Sequence, residues 1–453
     1  ALHRGAIWPD LFDGCTIDND PNSPHGLQVS PPATAKNSVT VGSAMADAWT
    51  AFADFNAEEV PLSFSSKGPA TASSLRTAPL LLAPGADGAT IDGFPLLQEA
   101  AAYRSRDNDN LPPIESEIDE GNSGTSYSSA YATAAGALVR DYFAQGFYPA
   151  AARTTADRMP KISGSLVRAA LVAGANFAEN LNVGSIGSLS ARIIAQSRAV
   201  DTTGLSSCLD AGVVGNNAQG YGRIVLDQVL PLANYPSGRG LGVPNTIEYP
   251  ASGLLVWDML GTGEPPIDNA GNVVAEKTFV VDGEAATMEG TTRVLAAGQL
   301  RIALSWPDPP GLAGGGGTLV NDLDLEVESP GPDHDITTPA DNIVYDGNVY
   351  IRGQGIQAGQ WGQGRAAAAT AVHDRRNTIE AVHLSAFVPG RPNQLVTGTW
   401  KVRVKRGQGG AMPGQISAIS GPNEDANGNG RIEPGEDLDG DGLLDAAGQP
   451  FAL

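Results

Sequence analysis

Ser126 stands where a hydroxyl could serve as a nucleophile. It follows a lead-in of small residues, Gly121, Asn122, Ser123 and Gly124, then Thr125, and it heads an Ala-rich run with no helix breaker before Gly136. A serine in the first turn of a helix meets backbone N–H groups that lack intrahelical partners, at the positive end of the macrodipole. Such a setting suits the oxyanion formed when a hydroxyl attacks a carbonyl carbon. The same residues also read as an ordinary N-cap, because Ser and Thr begin helices widely. The surroundings must decide between the two.

A second stretch, near the end of the sequence, offers hard oxygen ligands. Asp425, Asn427 and Asn429 fall at positions 1, 3 and 5 of a loop, Gly430 at 6, the Arg431 carbonyl at 7, apolar Ile432 at 8 and Glu436 at 12. This spacing wraps a short loop around one Ca2+, with the final glutamate bidentate. Asp437, Asp439, Asp441 and Asp445 continue the acidic pattern without a glutamate at the twelfth place. Pro434 and several glycines disfavour regular flanking helices, so a calcium-stapled extension is expected rather than a true helix–loop–helix pair. A solvated acidic segment is the alternative.

Around these stretches lie 453 residues, enough for two or three domains with cores of their own. Lys plus Arg total 28 against 50 Asp plus Glu, a net charge of −22. So acidic a chain argues against nucleic acid or anionic membrane as partner and suits calcium. No run of 18 apolar residues occurs, so no membrane-spanning helix is expected. The abundance of Gly (56) and Pro (32) favours loops and β-structure over a helical bundle. Cys15 and Cys208 are the only cysteines; a disulfide and two buried thiols both remain open.

Three regions follow. Residues 1–232 alternate short apolar runs (Val39 to Val41, Pro79 to Leu82) with helical patterns at Ala130 to Phe143, Ser165 to Ala173 and Leu189 to Ala199. That mixture implies an α/β layer fold with a mostly parallel sheet. The segment from Tyr103 to Glu120, just ahead of Ser126, is hydrophilic and without a period, and reads as a solvated loop without a role or as an insertion at the rim of a cleft. Prolines and glycines from 231 to 242 form a linker. Residues 245–408 carry short strand patterns at Gly253 to Trp257, Lys277 to Val281, Gln299 to Trp306, Leu323 to Val327 and Thr399 to Val404, which predict an all-β sandwich. Residues 421–453 form the calcium-loop tail.

Gly124-Thr125-Ser126, with small residues and then Ala135-Gly136-Ala137-Leu138-Val139 after it, resembles the nucleophile block of the subtilisin-like serine peptidases, or subtilases. Tyr127 and Ala130 stand where that block usually has Met and Pro; neither change removes a catalytic atom. Other blocks resemble the family in the same order: Ser30 to Gly42, Phe64 to Pro69, Leu82-Ala83-Pro84-Gly85 and Gly220 to Val225. The resemblance implies peptide-bond hydrolysis through an acyl-enzyme on Ser126, acting on protein or peptide substrates outside the cell. Gly124 and Thr125 would shape the site. An Asn upstream of Ser30 usually completes the oxyanion hole, and Asn19 falls near that separation, with Asn122 as a local alternative. A serine hydroxyl is a weak nucleophile until an imidazole, itself oriented by a carboxylate, takes its proton.

The five histidines, His3, His25, His334, His373 and His383, include none in the family's H-G-T block, and no D-T-G block precedes them. The chain therefore reads as the C-terminal part of a subtilase, with the Asp and His supplied by an N-terminal part of the same protein. The alternative is a secreted, calcium-dependent binding or adhesion protein built on a degenerate subtilase scaffold. Residues from Leu300 to Gly311, Leu319 to Leu325, Asn377 to Glu380 and Gly398 to Trp400 resemble the calcium-binding jelly-roll domain appended to some larger secreted subtilases. In that light Asn321, Asp322 and Asp324 become candidate oxygen ligands, with exposed strand carboxylates as the alternative. The acidic repeats from Asp425 to Asp445 resemble EF-hand or dockerin-like calcium repeats.

Overall fold

The computed structural model describes residues 29–45, most of 65–96, 124–176, 180–182, 192–194, most of 219–232, most of 254–281, 285–288, 291–294, 299–311, 319–349, most of 364–385, 395–407 and 449–453. In chain order the first elements are β1 (Val41–Met45), β2 (Leu81–Ala86), β3 (Ala89–Ile91), β4 (Phe94–Leu96), α1 (Thr125–Ala144) and α2 (Gly164–Ala173). Short strands follow: β5 (Ala175–Asn176), β6 (Asn180–Asn182), β7 (Arg192–Ile194) and β8 (Arg223–Ile224). Then come α3 (Met259–Thr262), β9 (Val274–Val281), β10 (Ala285–Met288), β11 (Thr291–Val294) and β12 (Gln299–Ser305). The last are β13 (Leu323–Ser329), β14 (Ile343–Asp346), β15 (Gly364–Ala366), β16 (Ile379–Ser385) and β17 (Gly398–Arg406).

The chain divides into two compact units. One takes residues 1–137, 175–208 and 215–225; the other takes 138–174, 209–214 and 226–453. The first unit holds a four-stranded sheet in the order β1-β2-β8-β5. β1 and β2 run parallel with Val41 opposite Leu81 and Gly42 opposite Leu82. β2 and β8 are also parallel, and β5 closes the edge antiparallel to β8. Leu81 and Leu82 are fully buried, as expected for a strand covered on both faces. Gly42 lets the two strands pack closely, because a Cβ there would meet Leu82 Cδ2 and Ser65 Oγ at 2.7 Å and force those side chains to shift. Gly220 adopts φ +60° beneath the Leu80 carbonyl, which accepts from Tyr221 N at 2.9 Å. That turn brings β8 back beside β2.

In the second unit, Ser163 caps α2 by accepting from Leu166 N at 2.9 Å. The Asp258 carboxylate in turn accepts from Ser163 Oγ at 2.5 Å and from Gly261 N at 2.9 Å, so one buried side chain serves the starts of both α2 and α3. A five-stranded sheet runs β15-β14-β13-β17-β9, all antiparallel, and β12 pairs with β16 in a second antiparallel sheet. Leu304, Val382 and Leu384 from the smaller sheet share one hydrophobic cluster with Leu323, Leu325, Val327, Val402 and Val404 from the larger. Trp400 sits within it, its ring about parallel to those of Phe279 and Tyr345 at centroid distances of 6.2 and 6.1 Å.

Three expectations change. The helical pattern at Leu189 to Ala199 contains strand β7 instead, paired antiparallel with β6; β-branched Ile193 and Ile194 pack more readily on a pleated surface than in a helix. Residues 254–257 form no strand; Trp257 exchanges backbone hydrogen bonds with Leu453 at 2.9 and 3.0 Å. The alternative of exposed carboxylates on β13 falls away, since every one of its side chains is buried. Its acids are covered by charged groups from neighbouring strands. At the end of the sequence, Gln449 pairs with Ile267 and Ala452 with Asp258 and Ser305, and Phe451 and Leu453 enter the core.

Candidate functional site

Ser126 is the second residue of α1 and is exposed, with Gly124 and Thr125 half-buried before it. The Ala-rich composition favours the helix, since alanine loses no side-chain entropy on ordering. The start of α1 is fixed at the carboxyl end of β2: Gly124 N donates to Gly85 O at 2.9 Å. Ligands in α/β sheets gather at the carboxyl ends of strands, and Ser126 lies there. Tyr127 N donates to Gly124 O at 3.1 Å, closing the first turn.

Below the exposed serine the packing is close. Ser128, fully buried, donates through Oγ to Ser43 Oγ on β1 at 3.0 Å. Ser43 N donates to Ser65 Oγ at 2.9 Å. Among the described residues of this unit there is no histidine, aspartate or glutamate, so no base for Ser126 comes from them. Asn19, Asn122 and His25 lie outside the described residues, as do both cysteines.

Residues 15–222 match the model of the "Subtilase family", a little under half of the chain, and Ser126 lies inside the match. Over 269 residues the chain is 27% identical to "Serine protease/ABC transporter B family protein tagD" of Dictyostelium discoideum, an alignment covering 58% of this chain. It covers only 13% of that relative's length. Among the described residues no helix is long and apolar enough to cross a membrane.

Two neighbouring groups of acids stand out in the second unit, with His373 Nδ1 of the first 3.6 Å from Asp324 Oδ2 of the second. Glu326, Asp346 and His373 place one ligand atom each within 4.8 Å of one another. Arg365 forks the Asp346 carboxylate at 2.6 and 2.8 Å and reaches Glu326 at 3.2 Å, while Lys405 lies 2.5 Å from Glu326. Burial holds His373 below the usual imidazole range, so it adds no positive charge. Two cations already neutralise these two carboxylates, which leaves little drive for a metal.

The other group is different. Asp324 and Glu380 are 1% and 0% exposed, and Asp324 Oδ1 and Glu380 Oε1 have no hydrogen-bond partner. Burial, then the charge of Asp322, pushes Asp324 up to about 8. Burial, then Asp324 and Asp374, raises Glu380 well above the ordinary carboxylate range. Buried carboxylates crowded in this way either hold protons or hold a cation. Their oxygen-only chemistry and two unpartnered atoms fit a hard ion such as Ca2+.

Of the three ligands expected from sequence, Asp322 and Asp324 belong to this buried group. The Asn321 amide instead donates to Gln449 Oε1 at 2.8 Å. Glu380 was not among the residues expected from sequence; a glutamate within the apolar run Ile379 to Leu384 was the available signal. The loop residues Asp425, Asn427, Asn429, Arg431, Glu436, Asp437, Asp439, Asp441 and Asp445 lie outside the described residues.

Proposed function

We propose that this chain carries the nucleophile-bearing part of a secreted subtilisin-like serine endopeptidase. The observation that carries the reading is the exposed Ser126 hydroxyl in the first turn of α1, at the carboxyl end of a parallel strand, within the stretch that matches the Subtilase family. In this mechanism Ser126 Oγ attacks the scissile carbonyl carbon. A histidine outside the described residues takes its proton and later delivers it to the departing amine; a carboxylate orients that imidazole. First-turn N–H groups receive the developing oxyanion, and Asn19 supplies a side-chain donor worth about 3 kcal/mol. Water then cleaves the acyl-enzyme by the reverse path. The histidine and carboxylate are assigned to an N-terminal part of the same protein.

Calcium supplies charge neutralisation and cross-linking rather than chemistry at the serine. Asp322, Asp324 and Glu380 would hold one ion in the second unit, whose two sheets we read as a jelly roll. Asp425, Asn427, Asn429, Arg431 (through its carbonyl) and Glu436 would hold another, with Asp437 to Asp445 as a weaker neighbour. The test of the serine is direct. In the full-length gene product, Ser126→Ala should abolish labelling by a fluorophosphonate probe; unchanged labelling would show the nucleophile to be misassigned and favour the binding-protein alternative.

A further inference from the structure

The subtilase reading leaves open how Ser126 is held still on an exposed turn. We propose that the buried Ser128–Ser43 hydroxyl pair, with the Ser43 backbone held in turn by Ser65 Oγ, is the positioning device for the nucleophile, and this rests on Ser126 being that nucleophile. Two fixed points bracket residue 126. Two residues before it, Gly124 N is tied to Gly85 O at 2.9 Å. Two residues after it, the Ser128 hydroxyl is tied to Ser43 Oγ at 3.0 Å, and the Ser43 backbone N–H to Ser65 Oγ at 2.9 Å. Ser43 and Ser128 are wholly buried and Ser65 nearly so.

Gly85 completes the fit. A Cβ at residue 85 would overlap both the Ser43 and the Ser128 hydroxyl oxygens and touch Gly124 O at 3.0 Å. The backbone of β2 therefore passes directly beside the hydroxyl pair that anchors α1. An apolar residue at 128 would satisfy burial equally well, and buried hydroxyls are costly unless paired; what the pair adds is a directional tie between α1 and β1. Rigid placement matters because a displacement of about 1 Å at a reacting atom can cost ~100-fold in rate.

Ser128→Ala removes the tie without altering Ser126 itself or the Gly124–Gly85 backbone bond. In the full-length enzyme the expected result is a roughly tenfold fall in kcat and in the fluorophosphonate labelling rate, with KM unchanged. Ser43→Ala should do the same. The double variant should lose no more than either single one, because the two hydroxyls form one link. Unchanged kcat and labelling in folded Ser128→Ala, or in folded Ser43→Ala, with only a lower Tm, would overturn the proposal. So would additive losses in the double variant. Should Ser128→Ala fail to fold, Ser43→Ala and Ser65→Ala carry the same comparison. Failure of the nucleophile reading is separable, since it would show as labelling that survives Ser126→Ala.

Discussion

Arg168 offers a quantitative handle on how α2 is held against the β-strands of the second unit. Its guanidinium is buried and donates through Nη2 to Thr378 Oγ1 at 2.7 Å and through Nη1 to the Trp306 carbonyl at 3.3 Å. Replacing it by methionine keeps much of the length and removes the donors. The short bond to a neutral hydroxyl contributes ~1.5–3 kcal/mol because the donor is charged. The 3.3 Å bond is long and adds less. Against these stands the cost of burying a guanidinium, which methionine avoids. Depriving the buried Thr378 hydroxyl and Trp306 carbonyl of this donor adds about 1–3 kcal/mol to the loss and offsets that gain. The net loss should be about 2–3 kcal/mol, toward the lower end if the side chain repacks well.

Urea unfolding followed by the fluorescence of the core residues Trp306 and Trp400 should then show a midpoint lower by ~0.5–1 M, for a slope near or above 3 kcal/mol/M in a unit of this size. A double-mutant cycle with Thr378→Val isolates the bond itself. A coupling of ~1 kcal/mol or more is expected. If Thr378→Val costs the same with arginine and with methionine at 168, the bond does not contribute and the reasoning fails.

Two further outcomes follow from buried charge. Chelation by EGTA should lower the Tm of the chain, and Glu380→Gln should lessen that sensitivity while leaving the residual effect of the loop at 425–436; equal sensitivity in the variant would remove Glu380 from the ligand set. His383 faces Arg301 across β12 and β16, and burial, then that arginine, holds its imidazole well below the usual range. A depressed histidine gives stability that is present above the unfolded pKa and lost as pH falls. Below pH ~6.5 the unfolded chain takes a proton that the folded one refuses, so stability falls by up to about 1.4 kcal/mol per pH unit. His383→Leu should flatten denaturation midpoints between pH 6.5 and 5 relative to the unsubstituted chain. Parallel pH profiles would show that His383 is not the group responsible.

Local pattern alone made several features legible. The Ala-rich run predicted α1 with Ser126 in its first turn, and the helix begins at Thr125. The SLVRAALVA run predicted α2 closely. Strands β9, β12, β13 and β17 all fell on alternating or apolar runs. In each, a period of 3.6 or 2 was already written in side-chain type, and burial needs little else.

What the tertiary structure decided involves residues far apart in the chain. Ser128 meets Ser43 across 85 positions, Arg168 meets Thr378 across 210, and Asn321 meets Gln449 across 128. Nothing local marks a serine as half of such a pair. The same holds for the acids of β13, which the sequence leaves open between metal ligands and exposed strand carboxylates. Only when β16 brings Glu380 beside Asp324, and Arg365 and Lys405 cover Glu326, does it emerge which carboxylates meet cationic side chains and which are crowded against other acids. Sequence periodicity settles which face of an element is apolar; the partner of each buried polar atom is settled by chain-distant packing, because hydrogen bonds and charges are satisfied in space and leave no period along the chain.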